Sequence, residues 1–409
     1  MTPKAPAPRL SEHAGPVGVV GAGLIGLATA RQLALAQVPV VVFEKETAVA
    51  QHQSGHNSGV VHAGIYYAPG SAKAILCRRG VELLRDYCAD KRLPWDERGK
   101  LVVARDAAET ARLKDIERRA TANGVPGLQW LDAGAIRALE PDVAGLAALL
   151  SPTTAIADYP AIARALADDV VRLGGQVLTG TAVSQVHRRG DDAVHVVTPG
   201  QTYRLSRLVI CAGLQADLLA TAAGDQAAPE IIPFRGEYLR LRPHARDRVQ
   251  HLVYPVPDPA YPFLGVHLTP RVGGEVDLGP NAVLALAREG YRRRDVSPAQ
   301  LARLTRSAAF HHLARQNWRA GLREIRGSLS RRAYLAEART YLPWLQPGDV
   351  MPAPAGVRAQ AVDPDGSLVD DFRIHRAGPV VAVRNAPSPA ATAALAIAQR
   401  IVGELAQPG

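Results

Sequence analysis

The chain has 409 residues, 47% of them hydrophobic and 21% charged, and a formal net charge of +10. This length is too great for one ordinary core and predicts roughly two to three globular domains. No apolar run approaches the roughly 18 to 20 residues that a membrane-spanning helix needs, so no such helix is predicted.

The N-terminal residues and the cysteines place few constraints on the fold. Residues 1–14 read as a disordered lead without an export signal. Cys77, Cys88 and Cys211 show no CxxC spacing. On one helix Cys77 and Cys88 would lie about 16 Å apart, too far for a disulfide. We expect three buried, reduced thiols in a cytoplasmic protein.

The clearest local pattern is VGVVGAGLIGLATARQLALAQVPVVVFEKE. It predicts a buried strand, a helix and a parallel buried strand, over residues 17–20, 21–35 and 38–43. Gly21, Gly23 and Gly26 fit GxGxxG, and Glu44 follows where a carboxylate can accept from a ribose 2′-hydroxyl. The unit predicts dinucleotide binding, and the acid argues against NADP. A glycine-rich turn in an unrelated α/β fold would leave Glu44 unexplained.

The rest of the chain alternates between strand-rich and helical segments. The patterns predict a helix, a β-meander with a returning strand, a second strand-rich region, Arg-rich helices, a strand and a last helix, over residues 159–173, 174–213, 232–284, 298–345, 379–383 and 389–405. We therefore expect a discontinuous cofactor domain with a substrate domain inserted into it.

Several segments match a known family: HQSGHNSGVVHAGIYYAPGSAKAILC, PFRGEY, YPVPDPAYPFLGVHLTPRVGGEVDLGPNAV, REGY, GVRAQAV and NAPSPAATAALAIA. With GAGLIGLATA, they make the chain resemble the FAD-dependent oxidoreductases of the D-amino-acid oxidase and glycine oxidase group. Within that group it resembles the L-2-hydroxyglutarate oxidase or dehydrogenase family, over nearly the whole chain.

The resemblance implies an α/β fold with two domains. One is a Rossmann-like FAD-binding domain of the glutathione-reductase type, and the other is an inserted α+β substrate domain with an antiparallel sheet. We expect the FAD-binding domain to comprise residues 15–84, 150–228 and 346–409. The substrate domain would comprise residues 85–149 and 229–345.

The implied activity is the oxidation of L-2-hydroxyglutarate to 2-oxoglutarate by hydride transfer to the flavin N5. Electrons would pass to a quinone, to another member of an electron-transfer chain, or to oxygen. The resemblance implies one FAD, bound non-covalently, and no metal. Two alternatives remain: an amine or amino-acid oxidase of the glycine or sarcosine type, and a non-catalytic FAD protein that senses redox state or serves as an interaction module.

Oxidation of an alcohol needs a base that titrates near neutrality, which favours histidine. His62 and His267 both lie in the matched segments, and we consider either a candidate for the catalytic base. The competing interpretation for each is a structural histidine whose nitrogens are satisfied by hydrogen bonds.

A dianionic substrate needs cationic partners, and arginine suits carboxylates better than lysine. Arg235 and Arg358 lie in matched segments, although either could instead form an ion pair, with Glu237 or Asp363. Hydroxyl donors could come from two neighbouring tyrosines, which could equally pack as structural residues. The substrate-binding candidates are therefore Tyr66, Tyr67, Arg235 and Arg358.

The resemblance also assigns cofactor-binding positions. Ser388 and Pro389 resemble an N-cap and first residue of a helix whose free N–H groups would face the flavin. The full expected cofactor-binding set is Gly21, Gly23, Gly26, Glu44, Lys45, Ser54, His56, Asn57, Ser58, Val183, Gly213, Gly356, Pro387, Ser388 and Ala390.

The positive charge is concentrated in one segment. Residues 288–339 contain 13 arginines and 4 acids, a net +9. Apolar residues interleave with these arginines, which is typical of an interfacial helix attracted to anionic lipid and also of a solvated basic face. No nucleic-acid motif accompanies them. We expect peripheral attachment to the inner face of the cell membrane.

Overall fold

The computed structural model describes residues 15–190, 193–258 and 265–406. Helices α1 to α11 span Leu24–Leu35, Ala72–Lys91, Ala107–Ala122, Ala133–Leu139, Tyr159–Arg172, Ala216–Ala222, Pro243–Arg246, Pro298–Arg306, Ala308–Leu329, Arg331–Ala338 and Ala390–Ala406. The predicted lead, residues 1–14, lies outside the described residues. So do residues 259–264 within the matched segment around His267.

The strands are short and numerous. Strands β1 to β23 span Val17–Val20, Val40–Phe43, Val60–Val61, Trp95–Asp96, Lys100–Ala104, Gln129–Asp132, Ala147–Ser151, Ala155–Ala157, Gln176–Leu178, Gln185–Arg189, Ala193–Val197, Thr202–Leu205, Arg207–Ile210, Glu230–Gly236, Leu239–Leu241, Leu252–Pro255, His267–Pro270, Val276–Gly279, Val283–Leu284, Val350–Pro352, Gly356–Val362, Arg373–Ala377 and Val380–Asn385.

A six-stranded sheet in the order β22-β23-β13-β1-β2-β9 carries the predicted βαβ unit. Strand β1 lies between β2 and β13, parallel to both, and all its residues are buried. Helices α1, α2, α5 and α11 pack with these strands in one hydrophobic core. Helix α1 begins at Leu24 rather than Gly21, because the first glycines form the turn between strand and helix. The α/β class is confirmed.

The predicted meander and returning strand are present over residues 174–190 and 193–213. Strands β10, β11 and β12 pair antiparallel as a three-stranded sheet, and β13 then returns beside β1. Strand β9 instead joins the six-stranded sheet next to β2. This arrangement places the carboxyl ends of β1, β2 and β13 at one edge, where open α/β sheets bind ligands.

The second large sheet has eight strands, in the order β20-β15-β18-β17-β16-β5-β7-β6. One face packs on Tyr334, Leu335 and Leu342, from α10 and the residues after it. Alternate residues of β5, β16 and β17 point to the opposite face, because successive side chains of a strand alternate. That face carries Lys100, Tyr254 and His267.

The Arg-rich segment forms helices α8, α9 and α10, in agreement with the predicted helical content. Cys77 and Cys88 lie buried on α2, and all three cysteines are free thiols. Among the described helices, none combines the length and the apolar character that crossing a bilayer requires.

Candidate active site

One cavity of about 1380 Å³ runs between the two large sheets, from the β1–α1 turn to β16 and β17. Its lining includes both predicted histidines, Tyr66, Tyr67 and Arg358, together with every residue of the expected cofactor-binding set. Arg235 alone among the predicted site residues is absent from the lining. Segments that are far apart in the sequence therefore converge on one elongated space.

The glycine turn at one end of this cavity leaves room for a ligand. Gly21 has a φ of +102°, and a Cβ there would lie 2.4 Å from the carbonyl oxygen of Cys211. Gly23 is the N-cap of α1 and offers no side-chain cap. A Cβ on Gly23 would lie 2.9 Å from Ser54 Oγ, at the cavity wall. The turn is a backbone cradle at a helix N-terminus, which fits the pyrophosphate of a dinucleotide.

Glu44 lies beside this cradle and is 8% exposed. Its Oε2 accepts a hydrogen bond from the Ala22 backbone N–H at 2.7 Å, and its Oε1 accepts one from Glu46 N–H at 3.0 Å. The carboxylate thus ties the end of β2 to the glycine turn. Each carboxylate oxygen has a second lone pair, which leaves capacity to accept from a ribose hydroxyl.

Lys45 lies next to an acidic pair at the edge of the cavity. Its Nζ donates to Glu46 and, at 3.0 Å, to Glu289. His52 lies between these carboxylates and bonds to the Tyr291 hydroxyl at 3.0 Å through Nδ1. Three metal-ligand side chains meet here, but the Lys45 ammonium already supplies the positive charge, so we assign no metal to them.

The loop that follows β2 is fixed by its own polar residues. Ser54 Oγ accepts from the Leu24 backbone N–H at 3.0 Å, which attaches the loop to the start of α1. The Asn57 amide donates to the Ser54 carbonyl at 2.7 Å and accepts from Gly59 N–H at 2.9 Å. Arg271 Nη1 donates to the Asn57 carbonyl at 2.6 Å. Asn57 therefore shapes the loop along the cavity wall.

His62 follows β3 and is held by the start of α11. Its backbone N–H donates to Thr392 Oγ1 at 3.1 Å, and its Nε2 lies 3.3 Å from Ser388 Oγ. Burial, with the nearby Lys100 charge, lowers the pKa of His62 to about 3. The imidazole is therefore neutral at physiological pH, and its pKa lies below the near-neutral value expected of a catalytic base.

The start of α11 differs in detail from the expectation. The helix begins at Ala390, and Ser388 Oγ contacts His62 Nε2. The Pro389 carbonyl accepts the first helical bond, from Ala393 N–H at 2.9 Å. Ser388 therefore links the helix start to the His62 imidazole at the cavity, a contact that the sequence pattern for a helix cap does not indicate.

His267 stands at the start of β17 and is 4% exposed. Its Nδ1 donates to the Gly265 carbonyl at 2.9 Å, since a carbonyl can only accept, and this leaves the lone pair on Nε2. The ring stacks on Tyr254 with centroids 3.8 Å apart. Burial, with the charges of Lys100 and Arg358, lowers the pKa of His267 to about 3. This imidazole is also a neutral proton acceptor.

The two candidate arginines lie on opposite faces of one strand pair. Arg358 is opposite Phe234 in the β14–β21 pairing, whereas Arg235 is opposite Val357. Residues paired directly across antiparallel strands share a face, so the two arginine side chains point to opposite faces. Arg358 lines it. Arg235 instead donates to Glu237 at 3.1 Å and to the Arg292 carbonyl at 3.2 Å, the ion-pair alternative.

Sequence reasoning missed three residues at the substrate end of the cavity. Tyr238 and Tyr254 line it, and Lys100 lies against the Tyr254 and Tyr66 rings at 3.6 Å and 4.5 Å from their centroids. The stretch GKLVVA could have indicated Lys100, because this lysine begins a strand whose other four residues are all apolar.

Comparison with known proteins gives consistent results over almost the whole chain. The sequence profile of the FAD dependent oxidoreductase family matches residues 16–404. The chain is 42% identical to an L-2-hydroxyglutarate dehydrogenase of Salmonella houtenae, over 95% of this chain and 92% of that protein. It is 41% identical to the mitochondrial L-2-hydroxyglutarate dehydrogenase of Homo sapiens, over 95% of this chain and 88% of that protein.

Solved structures share the fold. The L-alpha-glycerophosphate oxidase of Mycoplasma pneumoniae with FAD bound is similar with a TM-score of 0.78 and 25% identity, over 96% of this chain and 95% of that one. Glycine oxidase from Bacillus cereus has a TM-score of 0.69 and 16% identity, over 96% of this chain and 94% of that one. The second likeness concerns the fold alone.

Proposed function

The chain belongs to the FAD dependent oxidoreductase family, and we propose that it oxidises L-2-hydroxyglutarate to 2-oxoglutarate with FAD as its cofactor. The observation that carries this proposal is the single cavity that joins a dinucleotide cradle to two neutral imidazoles and an arginine. A glycine or sarcosine oxidase on the same fold would need only one carboxylate anchor. The relatives at 41% to 42% identity favour the hydroxy acid.

The residues of the cradle fit FAD. Gly21 and Gly23 would accommodate its pyrophosphate, Glu44 would accept from its ribose, and the start of α11 would present N–H groups to the flavin ring. When bound, FAD supplies the acceptor for the hydride that leaves C2 of the substrate. Ser54 and Asn57 would support this site by fixing the loop along the cavity.

The chain itself must take the proton of the substrate hydroxyl. His62 and His267 are the two proposed bases, and both present a neutral imidazole to the cavity. The tautomer of His267 is fixed by its bond to Gly265, which favours Nε2 as the accepting atom. For His62, the contact with Ser388 would orient the ring. Loss of the hydroxyl proton and the C2 hydride converts the alcohol into the ketone.

The substrate carries carboxylates that must be bound in a buried space. Arg358 is the proposed guanidinium partner, since its side chain lines the substrate end of the cavity. The Tyr66 hydroxyl is buried without a hydrogen-bond partner among the described residues, which supports a role as donor to the ligand. Tyr67 also lines the cavity and lies next to Ser388, so it is a second candidate donor.

A steady-state assay tests this proposal. Purified holoenzyme should reduce an artificial quinone with L-2-hydroxyglutarate and release one 2-oxoglutarate for each quinone reduced. L-lactate, sarcosine and glycine should give little or no turnover. Comparable turnover with glycine or sarcosine would replace the proposal by the amine oxidase alternative.

We also propose that helix α9 attaches the protein to an anionic membrane surface, where a quinone would accept the electrons. Trp318, Leu322, Ile325 and Leu329 follow one another at helical spacing and are 56%, 58%, 51% and 74% exposed. Exposed arginines flank this apolar stripe, at positions 315, 319, 323, 326, 331 and 332. Apolar side chains beside guanidinium groups suit the boundary between lipid headgroups and acyl chains.

Co-sedimentation with vesicles tests this attachment. Binding should require phosphatidylserine in phosphatidylcholine vesicles, and Leu322→Glu should weaken it about tenfold or more. Val171→Glu is the matched control, because Val171 is 58% exposed on α5. Equal binding to vesicles without phosphatidylserine, or equal loss in both variants, would reject α9 as the attachment surface.

A further inference from the structure

Lys100 is a buried lysine that the proposed chemistry leaves without a role. It begins β5, opposite Leu252 of β16 and Ser151 of β7. Its neighbours Leu101 and Val103 point into the core on the far side of the sheet. Strand alternation therefore directs Lys100 to the face that carries Tyr254 and His267.

Among the described residues, no carboxylate serves as a counterion for the ammonium of Lys100. The residue is 1% exposed, and its Nζ has no hydrogen-bond partner among the described residues. No carboxylate of the described chain forms an ion pair with it. Its contacts are with aromatic rings, those of Tyr254 and Tyr66. Cation–π contacts compensate only part of the cost of burying a charge.

A second unpaired polar group lies beside it. The Tyr66 hydroxyl is also buried without a hydrogen-bond partner, although its residue lines the cavity. Native structures leave few such groups, and each one calls for an explanation, such as a functional role or a bound water or ion. The Lys100 ammonium and the Tyr66 hydroxyl, both without a hydrogen-bond partner among the described residues, therefore belong to side chains in contact at the substrate end of the cavity.

We infer that Lys100 is the countercharge for the second carboxylate of the substrate, acting across the Tyr66 ring, and so selects a dicarboxylate over a 2-hydroxy monocarboxylate. This inference rests on the proposed function. Arg358 would bind one carboxylate by direct contact, while Lys100 supplies positive potential for the other. It is a positioning and specificity-determining residue, since its own side chain lies behind the cavity wall.

The charge of Lys100 extends to the reacting end of the cavity. It contributes to the lowered pKa of both His62 and His267. In turn, burial lowers the pKa of Lys100 to about 7, although the nearby Cys77 acts in the opposite direction. The groups that face it are Tyr66, Tyr254, Cys77 and the two imidazoles, none of them an anion at neutral pH. A dianionic ligand would therefore favour the protonated amine and draw in a proton when it binds.

The test uses holoenzyme and two unreactive ligands, glutarate and butyrate, whose binding is followed by the change in flavin absorbance. Lys100→Met should weaken glutarate at pH 7 by about tenfold or more and change butyrate by less than about threefold. Lys100→Arg should retain most of the preference for glutarate. Lys91→Met is the matched control, because Lys91 pairs with Asp169 and neither residue lines the cavity.

Proton uptake provides an independent readout. Wild-type holoenzyme at pH 8 should take up a proton when it binds glutarate, as calorimetry in two buffers of different ionisation enthalpy would detect, and Lys100→Met should not. An unchanged ratio of glutarate to butyrate affinity, or no proton uptake by wild type, would overturn the inference. If Lys100→Met no longer retains FAD, proton uptake by the wild type and the glutarate preference of Lys100→Arg still test the inference.

Different results would contradict the role of Lys100 and the proposed substrate. If wild-type enzyme oxidises L-2-hydroxyglutarate and Lys100→Met keeps the dicarboxylate preference, the role of Lys100 is wrong and the function stands. If wild-type enzyme does not oxidise L-2-hydroxyglutarate but prefers glutarate through Lys100, the substrate is wrong and the subsite stands.

Discussion

Replacement of Lys100 by methionine should stabilise the folded protein at neutral pH. Burial lowers the pKa of Lys100 from 10.5 to about 7. Because the unfolded chain keeps the proton up to the higher value, this shift destabilises the fold by about 4 kcal/mol at pH 7 and about 2 kcal/mol at pH 9. Contacts of the ammonium with the Tyr66 and Tyr254 rings stabilise the folded protein by about 1–2 kcal/mol and offset part of this cost. The net gain for Lys100→Met at pH 7 is therefore about 2 kcal/mol or more.

The sign of the pH dependence follows from proton counts. Between pH 7 and 10.5 the unfolded chain binds more protons than the folded protein, so wild-type stability rises with pH in this window. Lys100→Met lacks this contribution, so its advantage should shrink by about 2 kcal/mol from pH 7 to pH 9.

Urea unfolding of both proteins at pH 7 and pH 9, with FAD at one fixed concentration, measures this difference. Lys91→Met should instead lose stability at both pH values, since it breaks the 2.7 Å ion pair with Asp169. A stability difference between wild type and Lys100→Met that is the same at both pH values would refute the reasoning. So would a Lys100→Met protein less stable than wild type at both.

The remaining predictions concern the bases and the glycines. Asparagine at His62 or His267 should lower kcat by about 10²- to 10⁴-fold for the true base and by less than about tenfold for the other. Because each pKa is about 3, wild-type kcat/KM should not fall between pH 7 and pH 5, as a pH–rate profile would show. Gly21→Ala should abolish FAD retention, since its Cβ would lie 2.4 Å from a carbonyl oxygen, whereas Gly403→Ala, with nothing within 4 Å, should retain FAD. Gly80→Ala should destabilise the protein by about 1–3 kcal/mol in urea unfolding, because α11 backbone lies 2.5 Å from the added Cβ.

Local patterns predicted the βαβ unit at the start of the chain, because its form depends on backbone conformation and on short spacings. The GxGxxG turn and Glu44 are fixed within 24 residues of sequence, and their geometry follows from a strand and a helix that are both visible in the pattern. The loop around His62 was also recognisable, since its glycines and polar residues stand out from an otherwise apolar segment.

The substrate end was less predictable, because it depends on strand register across distant segments. Arg235 and Arg358 have similar sequence contexts, and only the pairing of β14 with β21 puts them on opposite faces. Lys100 reaches Tyr254 because β5 and β16 are adjacent, although about 150 residues separate them in the sequence. No periodicity in either segment indicates that adjacency.

Anaerobic mixing of the holoenzyme with L-2-hydroxyglutarate tests the central claim most directly. We predict complete bleaching of the oxidised flavin absorbance, with one 2-oxoglutarate formed for each flavin reduced. The D isomer, L-lactate and glycine should leave the spectrum unchanged over the same period. An oxidised spectrum that persists with L-2-hydroxyglutarate, or one that bleaches equally with glycine, would contradict the account.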